Sequence, residues 1–337
     1  MTIAPAEQTG FDPAMPLLAA ALDGDRARAV ISAALHRWRR DLADVELREV
    51  RLVRHKPGRR ALIEYQVSFT GADGTELLTL LGKMRAKGLD RRTPALMTQL
   101  RRAVFAADSA DGASVPEVIG DVPELAFWLQ RKVPGRSLAD WPAGDEGIRL
   151  ARRVAEAAAK LHRAAVPTTR RHTVDDELRI LRERFDLLAT QRPALGGRLS
   201  ALFAACMELG GSLRFRPTSG THRDFHPAQV LADGDRLWLL DFDLFCAGDP
   251  ALDLGNFLGH LTERAVRDPA CAKALAKIGR ALESRFLELA GEDSRAAVQI
   301  WETLTLARHV SISAQFSERR PFTETLLALC ETRLGLP

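Results

Sequence analysis

Cysteine is scarce in this chain. Its four residues, Cys206, Cys246, Cys271 and Cys330, stand far apart with no C-x-x-C pair. That spacing argues against a thiolate metal site, and a disulfide framework is not expected at this size. Aromatic residues make up only 6% of the chain, with a single tyrosine, Tyr65. No apolar run is long enough for a membrane span. The opening MTIAPAEQTGFDPAMP lacks both a basic region and a continuous apolar stretch, so a soluble, cytoplasmic protein is expected. A strong charge bias is missing too: 48 Lys and Arg against 44 Asp and Glu leave a formal net charge of +4. The arginines scatter along helical stretches such as RWRRD and LARRV, as on solvated helix faces, and do not mark a nucleic-acid binder. From Asp241 onward the balance turns mildly acidic, with fourteen acidic residues against eleven basic. No internal repeat, low-complexity tract or G-x-G-x-x-G loop stands out.

What is present reads as two unequal parts in 337 residues, enough for two lobes with a sizeable core. Residues 15–40 have helical periodicity broken near Gly24, where Asp23 or Asp25 can cap a second helix. Three strand patterns follow, VELREVRLVRH, ALIEYQVSFT and TELLTLLGKMRA. They are joined by Lys56-Pro57-Gly58-Arg59-Arg60 and Gly71-Ala72-Asp73-Gly74, whose Pro-Gly and Asp-Gly pairs are turn chemistry. RTPALMTQLRRAVFAAD then reads as a helix with Pro94 in its first turn. VPEVIGDV and LAFWLQRKV supply two more strands. Val133-Pro134-Gly135 breaks the pattern and marks the boundary between an N-terminal part (1–133, with 1–40 a helical leader) and a mainly helical C-terminal part (134–337). There GDEGIRLARRVAEAAAKLHRAAVP carries Leu150, Val154, Ala157, Ala158 and Leu161 along one side.

The most informative stretch runs from His222 to Asp253, and places Asp224, Gln229, Asp241 and Asp243 within twenty residues. LWLL, at 237–240, reads as a short buried strand that delivers Asp241 at its end. Two carboxylates and an amide on adjacent loops can bind Mg²⁺ through oxygen while leaving one carboxylate free to orient a hydroxyl, the division of labour of phosphoryl transfer.

At these residues the chain resembles the aminoglycoside phosphotransferase family, small-molecule kinases with a protein-kinase-like fold. The family's His-x-Asp followed by four residues and an amide is matched by His222, Asp224 and Gln229. Its metal-binding Asp is matched by Asp241 in LLDFD, and its GDPxxDL segment by Gly248, Asp249, Pro250, Asp253 and Leu254. Two positions depart from the pattern. The amide is Gln229 where the family usually has Asn, and Asp243 stands where protein kinases carry Gly. The resemblance extends over most of the chain and implies a bilobal α+β fold, with a five-stranded antiparallel sheet and a helix in the N-terminal lobe and a larger helical C-terminal lobe.

It also implies an ATP-dependent, Mg²⁺-requiring transfer of the γ-phosphoryl group to a hydroxyl of a small molecule, an aminoglycoside or amino-sugar among the acceptors. Asp224 is the expected base. Gln229, Asp241 and Asp243 are the expected metal ligands. Lys83 is the expected phosphate-clamping strand lysine, with Arg85 and Lys87 as competitors. Gln130, Arg131 and Lys132 lie in the segment whose backbone would pair with an adenine edge. His222 is expected to brace the loop, and Asp253 to accept its backbone N–H groups. His162, His226 and His309 read as structural. Acceptor choice is expected between Leu254 and Phe322, where Glu263, Asp268, Glu302 and Glu318 are candidate amine-binding carboxylates. The helix after the third strand lacks the usual glutamate partner for the lysine, with Gln99 the nearest polar residue. Together with Gln229 this leaves open a nucleotide-binding protein without phosphotransfer, acting through partners. A protein kinase is disfavoured, because no activation segment fits between Asp243 and Gly248.

Overall fold

The computed structural model describes residues 12–71, 74–214 and 216–337. The first eleven residues of the helical leader, and Ala72 and Asp73 of the second hairpin turn, lie outside the described residues. The chain divides into two compact units, one of 1–109 and 114–134, the other of 110–113 and 135–337.

In the first unit α1 (Leu18–Leu22) and α2 (Gly24–Trp38) are separated by Asp23. Its carboxylate accepts from the N–H groups of Asp25 and Arg26 and caps α2. β1 (Ala43–Lys56), β2 (Arg60–Gly71) and β3 (Gly74–Arg85) are the three predicted consecutive strands. After α3 (Arg92–Ala103) and the two-residue β4 (Ala113–Ser114), β5 (Val118–Val122) and β6 (Phe127–Arg131) complete a five-stranded antiparallel sheet in the order β1-β2-β3-β6-β5. Alternation decides which face is buried: Leu78, Leu80 and Met84 of β3 point into the core, so Leu81 and Lys83 point to the other face. The core holds Ile63, Tyr65, Val67 and Phe127 against Leu18, Ile31 and Leu35. Tyr65 stacks on Phe127 with ring centroids 5.7 Å apart, and its hydroxyl donates to the Ala21 carbonyl at 2.9 Å. At roughly 25 cal/mol per Å² of apolar surface removed from water, packing on this scale is the main term favouring the unit.

The second unit opens with β7 (Arg136–Ser137) and the predicted amphipathic helix α4 (Gly144–Arg163). α5 (Val174–Gln191) starts on a capping box in which Thr173 and Asp176 satisfy each other's backbone N–H. α6 (Gly196–Gly211), β8 (Ser219–Thr221), β9 (Val230–Asp233), β10 (Arg236–Leu239) and β11 (Cys246–Gly248) follow. The end of the chain is helical: α7 (Ala251–Arg267), α8 (Ala272–Ala290), α9 (Arg295–Gln315) and α10 (Thr323–Arg333). The short strands form two small sheets, β4-β10-β9-β7 and β11-β8.

α7 packs closely on α9 because it presents glycine at the contact. A Cβ at Gly255 would lie 2.5 Å from Trp301 Cβ and 2.7 Å from the Glu302 nitrogen, and one at Gly259 would lie 2.6 Å from Thr305 Cγ2. Neither backbone could stay where it is with a larger residue. Among the described residues no helix is long and apolar enough to cross a membrane.

Candidate active site

In the second unit, two antiparallel pairings bring the predicted acids together. β8 pairs with β11, Thr221 opposite Cys246, so Asp224 and Asp243 lie on the loops leaving the same end of this ribbon. β9 pairs with β10, Val230 opposite Leu239. One step beyond, the Leu240 N–H donates to the Gln229 carbonyl at 2.9 Å. Gln229 therefore sits beside Asp241, although twelve residues separate them in sequence. Two Asp-Phe pairs share one construction: Phe225 and Phe242 are 1% and 0% exposed, while the preceding Asp224 and Asp241 stay half-buried. The His222 ring lies 5.6 Å from the Phe225 ring and 4.9 Å from the Phe242 ring, so it ties the two anchors together. Burial of the phenylalanines fixes where the acids emerge.

The backbone here is strained. Arg223 (φ 69°) and Asp241 (φ 59°) occupy the left-handed region, two of the five described non-glycine residues that do. Such conformations cost on the order of 1 kcal/mol or more each and persist where surrounding contacts hold them. Those contacts are visible. The His222 Nε2–H donates to the Leu240 carbonyl at 2.7 Å, directly before Asp241. Asp253, fully buried, accepts from the backbone N–H of His222 at 2.9 Å and of Arg223 at 2.7 Å, and from His162 Nε2 at 2.8 Å. Asp253 thus does what the sequence implied. His162, read from sequence as a structural histidine, is its third partner.

His226 lies on the same loop. Its Nδ1 accepts from the Ala228 N–H at 3.2 Å, and its Nε2 is 3.8 Å from the Asp224 carboxylate. It stacks on His260 at 4.4 Å, which meets His309 edge-on, also at 4.4 Å. Burial lowers the pKa of all three, and Arg308 acts in the same direction on each. For His226 the lowering persists although Asp224 and Asp241 oppose it. The carboxylates expected to meet a substrate amine divide. Glu263 is 2% exposed and accepts from Arg267 at 2.7 Å, and Glu302 accepts from Arg333 at 2.9 Å, whereas Asp268 and Glu318 are exposed.

Lys83, Gln130 and Lys132 belong to the first unit. Lys83 lies opposite Leu62 and Trp128, with Nζ 5.2 Å from the Trp128 ring centroid. The same face carries a buried carboxylate, Glu64, which comes from β2 and not from α3. Burial alone would raise the Glu64 pKa, but hydrogen bonds from Lys132 (2.6 Å) and Arg51 (2.9 Å) outweigh it and hold the carboxyl below its usual value. Gln130 is a buried strand residue whose Oε1 has no hydrogen-bond partner among the described residues. The N–H groups of Arg131 and Lys132 already donate to Glu117 and Thr79 carbonyls, both at 2.8 Å. In the Lys56–Arg60 turn the Gly58 N–H donates to Asp12, whose role no local pattern announces.

Among the described residues no group of three or more His, Cys, Asp or Glu is arranged to hold a metal. An amide and one or two carboxylates nonetheless suit Mg²⁺, which is usually shared between few protein oxygens, water and substrate phosphates. Gln229 and Asp241 are residues of these types, brought near each other by the Leu240 to Gln229 main-chain hydrogen bond.

Comparison with known proteins bears on the family and the fold. The model of the phosphotransferase enzyme family matches residues 69–297. Among solved structures, the aminoglycoside phosphotransferase APH(4)-Ia is similar at 15% identity and a TM-score of 0.57, over 92% of this chain and 99% of that one. Amicoumacin kinase hAmiN, in complex with AMP-PNP, Ca²⁺ and Ami, gives 14% identity and 0.59, over 92% and 94%. A choline/ethanolamine kinase family protein from Mesorhizobium loti gives 18% and 0.52, over 93% and 95%. These likenesses establish the kinase-like fold expected from the sequence. No curated protein matches the sequence.

Proposed function

Because the chain belongs to the phosphotransferase enzyme family, we propose that it is a small-molecule kinase moving the γ-phosphoryl group of ATP to a hydroxyl. The observation that carries this is the Asp253 clasp. A buried carboxylate holds the N–H groups on the N-terminal side of Asp224, and the β9–β10 register sets Gln229 beside Asp241. Asp224 remains partly exposed, its side chain at 40%, so its carboxylate can receive a hydroxyl.

In this reading the first unit serves the nucleotide and the second the catalysis and the acceptor. The acceptor oxygen forms a bond to the γ-phosphorus while the bond from that phosphorus to the ADP oxygen breaks. Asp224 orients the hydroxyl and takes its proton. Lys83 meets the nucleotide phosphates, with Gln130 and Lys132 on the adenine side. Gln229 and Asp241, with Asp243, hold Mg²⁺, which when bound neutralises phosphate charge. AMP-PNP and Ca²⁺ in the amicoumacin kinase structure support a nucleotide and a divalent cation. Hygromycin B and streptomycin, bound in other neighbours, support an aminoglycoside-like or amino-sugar acceptor. A cytoplasmic location fits a kinase that draws on ATP.

The test is Mg²⁺-dependent ADP release over a panel of aminoglycosides, amino alcohols and sugars. Acceptor-stimulated release that falls about a hundredfold or more in Asp224→Asn is expected, the scale of a lost general base. ATP binding with no stimulated release by any acceptor would favour the non-transferring alternative.

A further inference from the structure

A buried polar chain reaches the loop of Asp224 from behind. Glu177 on α5 is 2% exposed. Its Oε2 lies 3.0 Å from His172 Nε2, and its Oε1 accepts from Arg308 Nη1 at 2.9 Å. The other arm of the Arg308 guanidinium donates to Asn256 Oδ1 at 2.5 Å. Asn256, fully buried on α7, donates from Nδ2 to the Phe225 carbonyl at 2.9 Å.

Each link has a direction. Arginine can only donate, so it selects the oxygen end of the amide and leaves the NH₂ end for the carbonyl. The two-armed guanidinium meets Glu177 and Asn256 from separate nitrogens, where an ammonium would have to serve both from one. The close approach of α7 and α9 at Gly255 and Gly259 brings the two residues within reach.

Asp224 consequently stands between two fixed main-chain groups. The Arg223 N–H before it is held by Asp253, and the Phe225 carbonyl after it by Asn256. Stability alone does not call for such a chain, since well-packed apolar side chains of similar volume commonly serve as well or better than a buried ion pair. Arg308 also lies beyond residue 297, where the family match ends.

We infer that Arg308 and Asn256 are positioning residues: they fix the Phe225 carbonyl and thereby aim the Asp224 carboxylate at the acceptor hydroxyl. This rests on the phosphotransfer reading above. Displacing a reacting group by about 1 Å can cost on the order of a hundredfold in rate, so a small rotation of this peptide is sufficient.

Two variants of the full chain test it. Asn256→Asp keeps an oxygen for Arg308 but sets a second acceptor against the Phe225 carbonyl. Arg308→Lys keeps the charge facing Glu177 but loses the planar two-armed geometry that meets both partners. In Asn256→Asp, kcat should fall roughly tenfold or more while KM for ATP stays within about twofold. Amide exchange should quicken in residues 222–226. The double variant should lose no more kcat than the worse single one, because the two residues act in series. Wild-type kcat in the singles, losses that multiply in the double variant, or unchanged exchange at 222–226 would overturn the inference. Should Asn256→Asp fail to fold, Arg308→Lys carries the same readouts. Asp224→Asn is measured alongside. If that variant stays fully active the phosphotransfer reading fails, and exchange alone then decides whether Arg308 and Asn256 hold the loop.

Discussion

Replacing Asp253 by asparagine removes one oxygen from a site where three donors converge. Oδ2 serves the His222 N–H at 2.9 Å and His162 Nε2 at 2.8 Å, and Oδ1 serves the Arg223 N–H at 2.7 Å. In the better of its two orientations the amide oxygen takes the Oδ2 place and its NH₂ confronts the Arg223 N–H. Hydrogen bonds to a charged acceptor contribute about 1.5–3 kcal/mol against about 0.5–1.5 for neutral ones, so the two retained bonds weaken by roughly 1 kcal/mol each. The stranded Arg223 N–H adds about 1–3 kcal/mol. Relief from burying a charge offsets part of this, which leaves a net loss of about 2–4 kcal/mol. At roughly 2–4 °C per kcal/mol for a unit of about 200 residues, Tm should fall by about 4–16 °C. Circular dichroism during heating measures that fall, and kcat should drop with it because Arg223 precedes Asp224. A Tm within about 2 °C of wild type, the range of an ordinary surface change, with full activity would refute the reasoning.

Glu177 supplies a second, pH-dependent outcome. Burial works to raise its pKa, but Arg308 and His172 prevail and bring it from the ordinary 4.5 down to about 2. A depressed carboxyl stabilises the fold above 4.5, and that contribution is lost as pH falls towards 2. It is on the order of 3 kcal/mol at about 1.4 kcal/mol per pH unit. Urea midpoints of wild type should therefore drop more steeply than those of Glu177→Gln between these pH values, and parallel curves would contradict the assignment. His309 has the opposite chemistry and the same acid sensitivity. Burial, with Arg308 and Arg319 beside it, lowers its pKa from 6.5 to about 3, and His226 and Arg267 act in the same direction. The ring stays neutral in the fold while the unfolded chain takes a proton below 6.5, so stability declines as pH falls from 6.5 towards 3. His309→Leu should gain about 2 kcal/mol relative to wild type on going from pH 7.5 to 5. An unchanged difference between the two pH values would rule this out.

Local order made much of this protein legible. Period-two alternation and Pro-Gly chemistry marked out β1 to β3, while the face that Lys83 occupies came only with the pairing register. The segment from His222 to Asp253 displayed its acids because the tight β9–β10 hairpin and the β8–β11 pairing that encloses it bring them together within one stretch of chain. What was hidden depends on contacts far apart in sequence. His162 meets Asp253 across 91 residues, and Arg308 meets Glu177 across 131. A histidine inside an amphipathic helix carries no mark of the carboxylate it will touch, and an arginine on α9 reads as one more solvated charge. Lys132 was equally opaque. Its partner Glu64 lies 68 residues earlier, on a strand that alternation alone would leave half-exposed.

Following the γ-phosphoryl group itself is the most direct measurement. With ATP, Mg²⁺ and a stimulating acceptor, ³¹P NMR should show the γ resonance replaced by a phosphomonoester on the acceptor with wild type, and persisting with Asp224→Asn. Phosphorus released only as inorganic phosphate, or a γ resonance that survives although the nucleotide binds, would contradict phosphoryl transfer to a hydroxyl.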